Sequence, residues 1–232
     1  MDSSQRAPVS RLTLGRRVAV EHLKRSAPFR GSGADDTFSD RLLQRKISTI
    51  PMICELILGG ARSGKSRHAE ARARASRLAV TVIATAEAGD EEMAERIRRH
   101  QADRPAAWRT VEAPLALAEA LRREAAPDRC VIVDCLTLWL ANLLAGADTL
   151  PPGADADQLP LFRRERDALL AALPQLPGQV ILVANEVGLG LVPETPLGRL
   201  FRDEAGRLNQ AVAALCPRVI FVAAGLPLVM KG

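Results

Sequence analysis

Residues 54–70 read CELILGGARSGKSRHAE. The apolar run Leu56-Ile57-Leu58 ends at Gly59, and a basic, helix-forming segment opens at Lys65. Gly59, Gly64, Lys65 and Ser66 fit the spacing G-x-x-x-x-G-K-[ST]. The pattern follows an expected strand and opens an expected helix, the context that gives it meaning. Each part has a task. Glycines permit a strained loop whose backbone N–H groups surround phosphates. The helix N-terminus adds the positive end of its dipole. Lys65 reaches the β- and γ-phosphates, and Ser66 is a ligand for Mg²⁺. The stretch therefore predicts a nucleotide-binding fold built around a parallel sheet.

The rest of the chain agrees. From Ile53 onward strands alternate with helices: ICELIL, a helix over about 65–77, AVTVIAT (79–85), a helix over 90–103, and a helix in PLALAEALRREAA. CVIVD (130–134), the helix LTLWLANLLAG, the loop LPPGADADQLP and the helix LFRRERDALLAALPQL follow. QVILVAN (179–185), a long helix over 197–215 and RVIFVAAG (218–225) close the series, and LPLVMK can add an edge strand. In the 90–103 helix Asp90 suits the N-cap, acids fill the first turn, and Pro105 lies just beyond the end. Strands that are apolar throughout imply a mostly parallel sheet covered on both faces. Such a site needs a second acid at the end of a neighbouring strand. Asp134, closing CVIVD, suits that role; the less favoured alternative is an Asp that caps the helix beginning there.

Composition narrows the function. Tyrosine is absent and aromatics make up 3% of the chain, too few for base-stacking platforms. The net charge is +5, but residues 1–51 hold ten Lys or Arg against five Asp or Glu, whereas the remaining 181 hold 22 of each. The body is neutral, which argues against nucleic acid. No apolar run reaches the length of a membrane span, and the expected location is the cytoplasm. Cys54, Cys130, Cys135 and Cys216 show no CxxC spacing and read as buried free thiols. Residues 1–51 are weakly patterned and are expected to be a poorly ordered basic extension, with 52–232 as the single nucleotide-binding domain. Met52 directly precedes the first strand, so we expect it to be the native start. A transit peptide is the rival reading, and its several acids count against it.

A nucleotide binder of this kind could be a kinase, a GTPase or a motor. The guanine-reading TKxD-type motif of small GTPases is not apparent. Five segments in order sharpen the choice: GGARSGKSRHAE, VIATAEAGDEEMAERIRRHQADRPAAWRTVEAP, VIVDCLTLWLANLL, VILVANEVGLGLVPETPLGRLFRDEAGRLNQ and VIFVAAGLPLVMKG. Together they resemble the bifunctional adenosylcobinamide kinase / adenosylcobinamide-phosphate guanylyltransferase family of cobalamin biosynthesis. The likeness runs from about Cys54 to Lys231.

The resemblance implies a P-loop NTPase fold of the RecA-like type and two reactions. ATP or GTP phosphorylates the aminopropanol hydroxyl of adenosylcobinamide. GTP then donates GMP to adenosylcobinamide phosphate through a guanylyl-histidine, whose matching position is His100. From the residues alone, His100 shares a helical face with Met93 and Ile97 and reads more readily as a core or boundary histidine; the family motif reverses that preference. Neutral imidazole can attack an α-phosphorus and leave a reactive phosphoramidate, and an unperturbed pKa near 6.5 permits it at neutral pH. Some relatives carry two adjacent histidines here, whereas this chain has Arg99-His100, so Arg99 can instead help neutralise phosphate charge.

The implied nucleotide contacts are Gly59, Gly60, Ala61, Arg62, Ser63, Gly64, Lys65 and Ser66 in the loop. Ala84, Thr85 and Ala86 at the second strand, Gln101, Ala102, Asp103 and Arg104 after the histidine, and Glu112 and Asp134 complete the set. Glu112 would accept from guanine N1–H and N2–H₂; otherwise it is an exposed helix-start acid. Arg62 can offset transition-state charge. Lys65 and His100 are the expected catalytic pair, and Ser66 with Asp134 the Mg²⁺ ligands. Asn185 and Glu186, at the end of a strand, could contact substrate or metal, or only cap the loop. His68 is expected to be structural. The family tends to form ring-like trimers, so a homo-oligomer is implied, and LTLWLANLL suits either an interface or a core helix. The alternatives are a kinase-only phosphotransferase with a structural His100, or a GTP-switched binding protein.

Overall fold

The computed structural model describes residues 53–87, 91, 95, 98, 104–145, 147 and 155–232. The expectations for residues 1–51, and for His100, Gln101, Ala102 and Asp103, fall outside the described residues. Of the predicted 90–103 helix, Glu91, Glu95 and Arg98 are described, and all three are helical.

The apolar runs become the inner strands of one seven-stranded sheet. Its members are β1 (Ile53–Gly59), β2 (Ala79–Ala84), β3 (Arg109–Glu112), β4 (Arg129–Asp134), β5 (Gln179–Asn185), β6 (Arg218–Ala223) and β7 (Leu226–Lys231). Their spatial order is β3-β2-β4-β5-β1-β6-β7. All neighbours are parallel except the last pair, where β7 turns back on β6. The central strands β1, β4 and β5 are buried on both faces, which is why they carry no alternation. β3 (RTVE) lies outside the sequence expectation. It is four residues long, mostly exposed and on the sheet's edge, so it has no need of an apolar run.

The principal helices are α1 (Lys65–Ser76), α2 (Leu117–Glu124), α3 (Leu136–Leu143), α4 (Pro160–Ala172) and α5 (Pro196–Leu215). They divide between two cores. α1 presents Ala69 and Ala73 to Ile57, Val82, Ile132, Ile181 and Val183 on one face of the sheet. Its small residues let it lie close against the strands. An ion pair from Arg72 of α1 to the fully buried Glu55 of β1, at 3.0 Å, fixes its position. α2 to α5 pack on the other face through Leu117, Leu121, Trp139, Phe162, Leu169 and Leu208. Each fully buried leucine or phenylalanine here contributes roughly 1.5–3 kcal/mol. Leu136, Trp139, Leu140 and Leu143 are all within this core, so the apolar segment LTLWLANLL is a core helix.

The cysteine expectation holds for two of the four. Cys130 and Cys135 are buried free thiols. Cys54 and Cys216 form a disulfide, correcting the reading of four free thiols. The parallel register of β1 with β6, which sets Glu55 opposite Arg218, brings the residue before Glu55 next to the one that closes α5. Their Cα atoms lie 4.9 Å apart.

Candidate active site

β1 ends at Gly59 and α1 begins at Lys65, so the connecting loop lies at the carboxyl edge of the sheet. Ligands bind there in open parallel α/β folds. The loop turns sharply at Arg62 (φ 57°) and Gly64 (φ 96°). Ser63 N–H donates to Gly60 O at 3.2 Å, and His68 N–H donates to Gly64 O at 2.9 Å, starting the helix. Gly59 has no alternative. A Cβ there would lie 2.5 Å from both Ser63 Oγ and the Val222 carbonyl oxygen. The loop is braced from outside by the β6–β7 turn, where Gly225 N–H donates to Ser63 O at 2.8 Å.

An open cleft of about 510 Å³ lies over this loop, lined by Arg62, Ser63, Lys65, Ser66, Arg67 and the Ala224–Gly225 turn. Three of these side chains are cationic and no lining residue is acidic, so the cleft suits a polyphosphate. The Lys65 ammonium donates to Gly60 O at 3.1 Å, which holds it over the loop. Arg67 and the β6–β7 turn were missed from sequence. The turn could have been found from its place at the carboxyl end of a strand.

β5 lies between β1 and β4, so Asp134 sits two strands from the loop, at the end of β4. Ser66 and Asp134 nevertheless line one cavity, together with Glu70, Arg104 and Trp108. Ser66 and Asp134 offer oxygen donors of the kind that suit a hard divalent cation such as Mg²⁺, on a small cavity of about 10 Å³. Arg104 occupies part of that space: its Nη2 donates to Asp134 Oδ2 at 3.0 Å.

The tips of β2 and β4 are bound together through Thr85, which is fully buried. Its N–H donates to Asp134 O, its hydroxyl donates to Cys135 O at 2.7 Å and accepts from Cys135 N–H at 2.9 Å, and its carbonyl accepts from Asn142 Nδ2 at 2.8 Å. Thr85 thus offers no free polar group to a ligand; it fixes Ala84 and Ala86 relative to Asp134. Thr85→Val should lower unfolding free energy by about 1–3 kcal/mol, because it strands the buried Cys135 N–H, whereas the Cys135 carbonyl keeps the Trp139 N–H. Urea denaturation checks this. A loss under roughly 0.5 kcal/mol, the range of ordinary surface changes, would refute the role.

Glu112 lies opposite Ala84 in the register of β3 with β2. It is exposed, and β3 stands four strand spacings, roughly 19 Å, from β1. The structure therefore sets Glu112 at the far end of the same rim as the phosphate loop. Asn185 ends β5, level with Gly59. Its N–H donates to Thr137 Oγ1 and its carbonyl accepts from Asn209, while its Oδ1 is buried without a hydrogen-bond partner among the described residues. Glu186 N–H donates to Gly59 O at 3.1 Å, and its carboxylate accepts from Gly188 N–H at 2.7 Å, so Glu186 shapes the loop that follows.

Burial pushes the Cys130 thiol up to about 11 and also raises that of Cys135. Neither is a nucleophile at neutral pH. His68 is held below the usual imidazole range by burial, against the pull of Glu55. Its charged neighbours Glu55, Arg72 and Arg218 do not line the phosphate cleft.

Residues 55–230 match the family model described as cobinamide kinase / cobinamide phosphate guanyltransferase. The chain belongs to this family. It is 58% identical over 178 residues to the bifunctional adenosylcobalamin biosynthesis protein CobP of Pseudomonas aeruginosa, covering 77% of this chain and 97% of that one. It is 44% identical over 179 residues to the protein CobU of Escherichia coli, covering 76% and 98%. Among solved structures, the flagellar accessory protein FlaH from Methanocaldococcus jannaschii aligns at TM-score 0.39 and 16% identity, covering 84% of this chain and 86% of that one. The family membership rests on the sequence match and not on that likeness. Among the described residues no helix is long and apolar enough to cross a membrane.

Proposed function

We propose that this family member works at one rim in two steps. It first transfers the γ-phosphoryl group of ATP or GTP to the aminopropanol hydroxyl of adenosylcobinamide. It then transfers GMP from GTP to the resulting phosphate through His100. The observation that carries the reading is the acid-free cationic cleft over Gly59–Ser66, with Ser66 and Asp134 on one adjoining cavity.

In the first step the acceptor oxygen attacks the γ-phosphorus. The bond to the β-phosphate oxygen breaks, the nucleoside diphosphate leaves, and the hydroxyl proton is released. The loop N–H groups and Lys65 hold the phosphates, and Arg62 and Arg67 offset charge as the leaving group forms. Mg²⁺, held by Ser66 and Asp134, supplies further neutralisation of the phosphates when bound. In the second step a nitrogen of neutral His100 attacks the α-phosphorus of GTP and pyrophosphate leaves. An oxygen of adenosylcobinamide phosphate then attacks the same phosphorus, breaking the P–N bond and giving adenosylcobinamide-GDP. Gln101, Ala102, Asp103 and Arg104 adjoin His100 in sequence and would serve its nucleotide; Glu112, far along the rim from the loop, would take the guanine base.

Family membership is also the support for a homo-oligomer, a trimer by resemblance, in the cytoplasm, with residues 52–232 as the transferase domain and 1–51 as an appendage to it.

The test uses GTP labelled at the α-phosphate, with Mg²⁺ and no cobinamide. Acid-labile label on the denatured protein is expected. A folded, GTP-binding protein that takes up no label would reduce the reading to a kinase alone.

A further inference from the structure

The space that suits a divalent cation already holds a positive charge that belongs to the protein. Arg104 Nη2 meets Asp134 Oδ2 at 3.0 Å, with the arginine side chain 8% exposed and the aspartate 21%. Among the described residues the other contact of this guanidinium is long: Nη1 reaches Thr110 Oγ1 at 3.4 Å. Arg104 is thus held at the rim chiefly by the carboxylate that would serve the metal. Among the described residues that line the cavity, the other charged side chain is Glu70. Glu70 pairs with Arg74 at 3.4 Å, and Arg74 lies over the Trp108 ring.

We propose that Arg104 is a placeholder cation, displaced from Asp134 when a metal–nucleotide complex binds, and that it then moves onto the phosphates it has made room for. The proposal rests on reading Asp134 as the metal acid. Three physical points carry it. First, a largely buried carboxylate needs a counter-charge whenever the site is empty, and removing its partner would leave the charge uncompensated. Second, a guanidinium and a divalent cation that converge on one carboxylate in a poorly solvated space repel each other strongly. Third, the incoming nucleotide brings its own anions, and a guanidinium fork matches phosphate at least as well as carboxylate. Charge stays balanced at each stage: arginine on aspartate before loading, metal on aspartate and arginine on phosphate after it. In this scheme the free cation competes poorly for Asp134 until nucleotide offers Arg104 another partner. The site thereby selects the metal–nucleotide complex over the bare metal.

The test measures binding of Mn²⁺ to the full chain by the electron paramagnetic resonance signal of free Mn²⁺, with and without GDP. Arg104→Gln should bind Mn²⁺ alone about tenfold or more tightly than the wild type, and the gain should shrink when GDP is present. Arg104→Lys, which keeps the charge on a less well-matched head group, should fall between the two. If the glutamine variant does not fold, lysine against wild type still decides the order. Asp134→Asn in the Arg104→Gln background should abolish the gain. Unchanged or weaker Mn²⁺ binding by both Arg104 variants, with Asp134→Asn still weakening binding in the presence of GDP, would overturn the exchange while leaving Asp134 as the metal acid. Binding indifferent to Asp134→Asn, with GDP as without it, would overturn the metal-acid reading and the exchange with it.

Discussion

Lys65→Ala is expected to slow phosphoryl transfer to adenosylcobinamide by about 10²–10³-fold, the effect of removing one preorganised donor from a developing anion. The side chain is well placed for this. Lys65 is the first residue of α1, so its backbone position is set by the loop, and its ammonium lies over that loop through Gly60 O. The main-chain bonds that shape the loop run through Gly60, Ser63, Gly64 and Gly225, none of which needs the lysine side chain. The variant should therefore fold and retain weak nucleotide binding through the loop N–H groups, Arg62 and Arg67. Lys65→Arg should restore little, because a planar fork does not reproduce a compact ammonium charge. Single-turnover transfer, with thermal unfolding as the control, measures the effect. A rate within threefold of wild type would mean that Lys65 does not touch the transferred group.

His100→Ala should separate the two activities. Removal of a covalent nucleophile has no partial substitute, so guanylyl transfer and protein labelling should fall by more than about 10³-fold. Phosphorylation of adenosylcobinamide, which we assign to the loop and Lys65, should stay within a few-fold of wild type. The informative comparison is between the two products of the same preparation: adenosylcobinamide phosphate should accumulate where the wild type continues to the GDP adduct. Full guanylyl transfer by the folded variant would exclude His100 as the nucleophile. Equal loss of both activities would place His100 in the phosphoryl-transfer machinery and remove the division of labour.

The parts of this architecture that sequence makes legible are those in which local composition and tertiary role coincide. β1, the loop and α1 form one continuous stretch, and an apolar run followed by Gly59…Gly64-Lys65-Ser66 allows few other readings. β4 and β5 are apolar because both faces are covered, so they read as strands without alternation. β3 is different: Arg109–Glu112 needs one hydrogen-bonded neighbour and no core, and RTVE carries no apolar signal. The Cys54–Cys216 contact follows from the register of β6 on β1, across 162 residues, and no spacing rule reports it. The same holds for Arg104 with Asp134, 30 residues apart, and for Gly225, which braces Ser63 from the far end of the chain. Asp134 itself was legible as an acid at a strand end; that its counter-ion comes from the segment after His100 was not.

Thr85 has a further consequence. Its N–H, carbonyl and hydroxyl are all engaged, and they join the ends of β2 and β4 to each other and, through Asn142, to α3. The tips of β2 and β4 therefore reach a ligand already ordered, so little conformational entropy is lost in them on binding. The adaptability needed to admit an acceptor as large as a corrinoid then falls to parts of the rim outside these two tips. One such part is the segment after β5, where Leu189, Leu191 and Val192 stand largely in solvent.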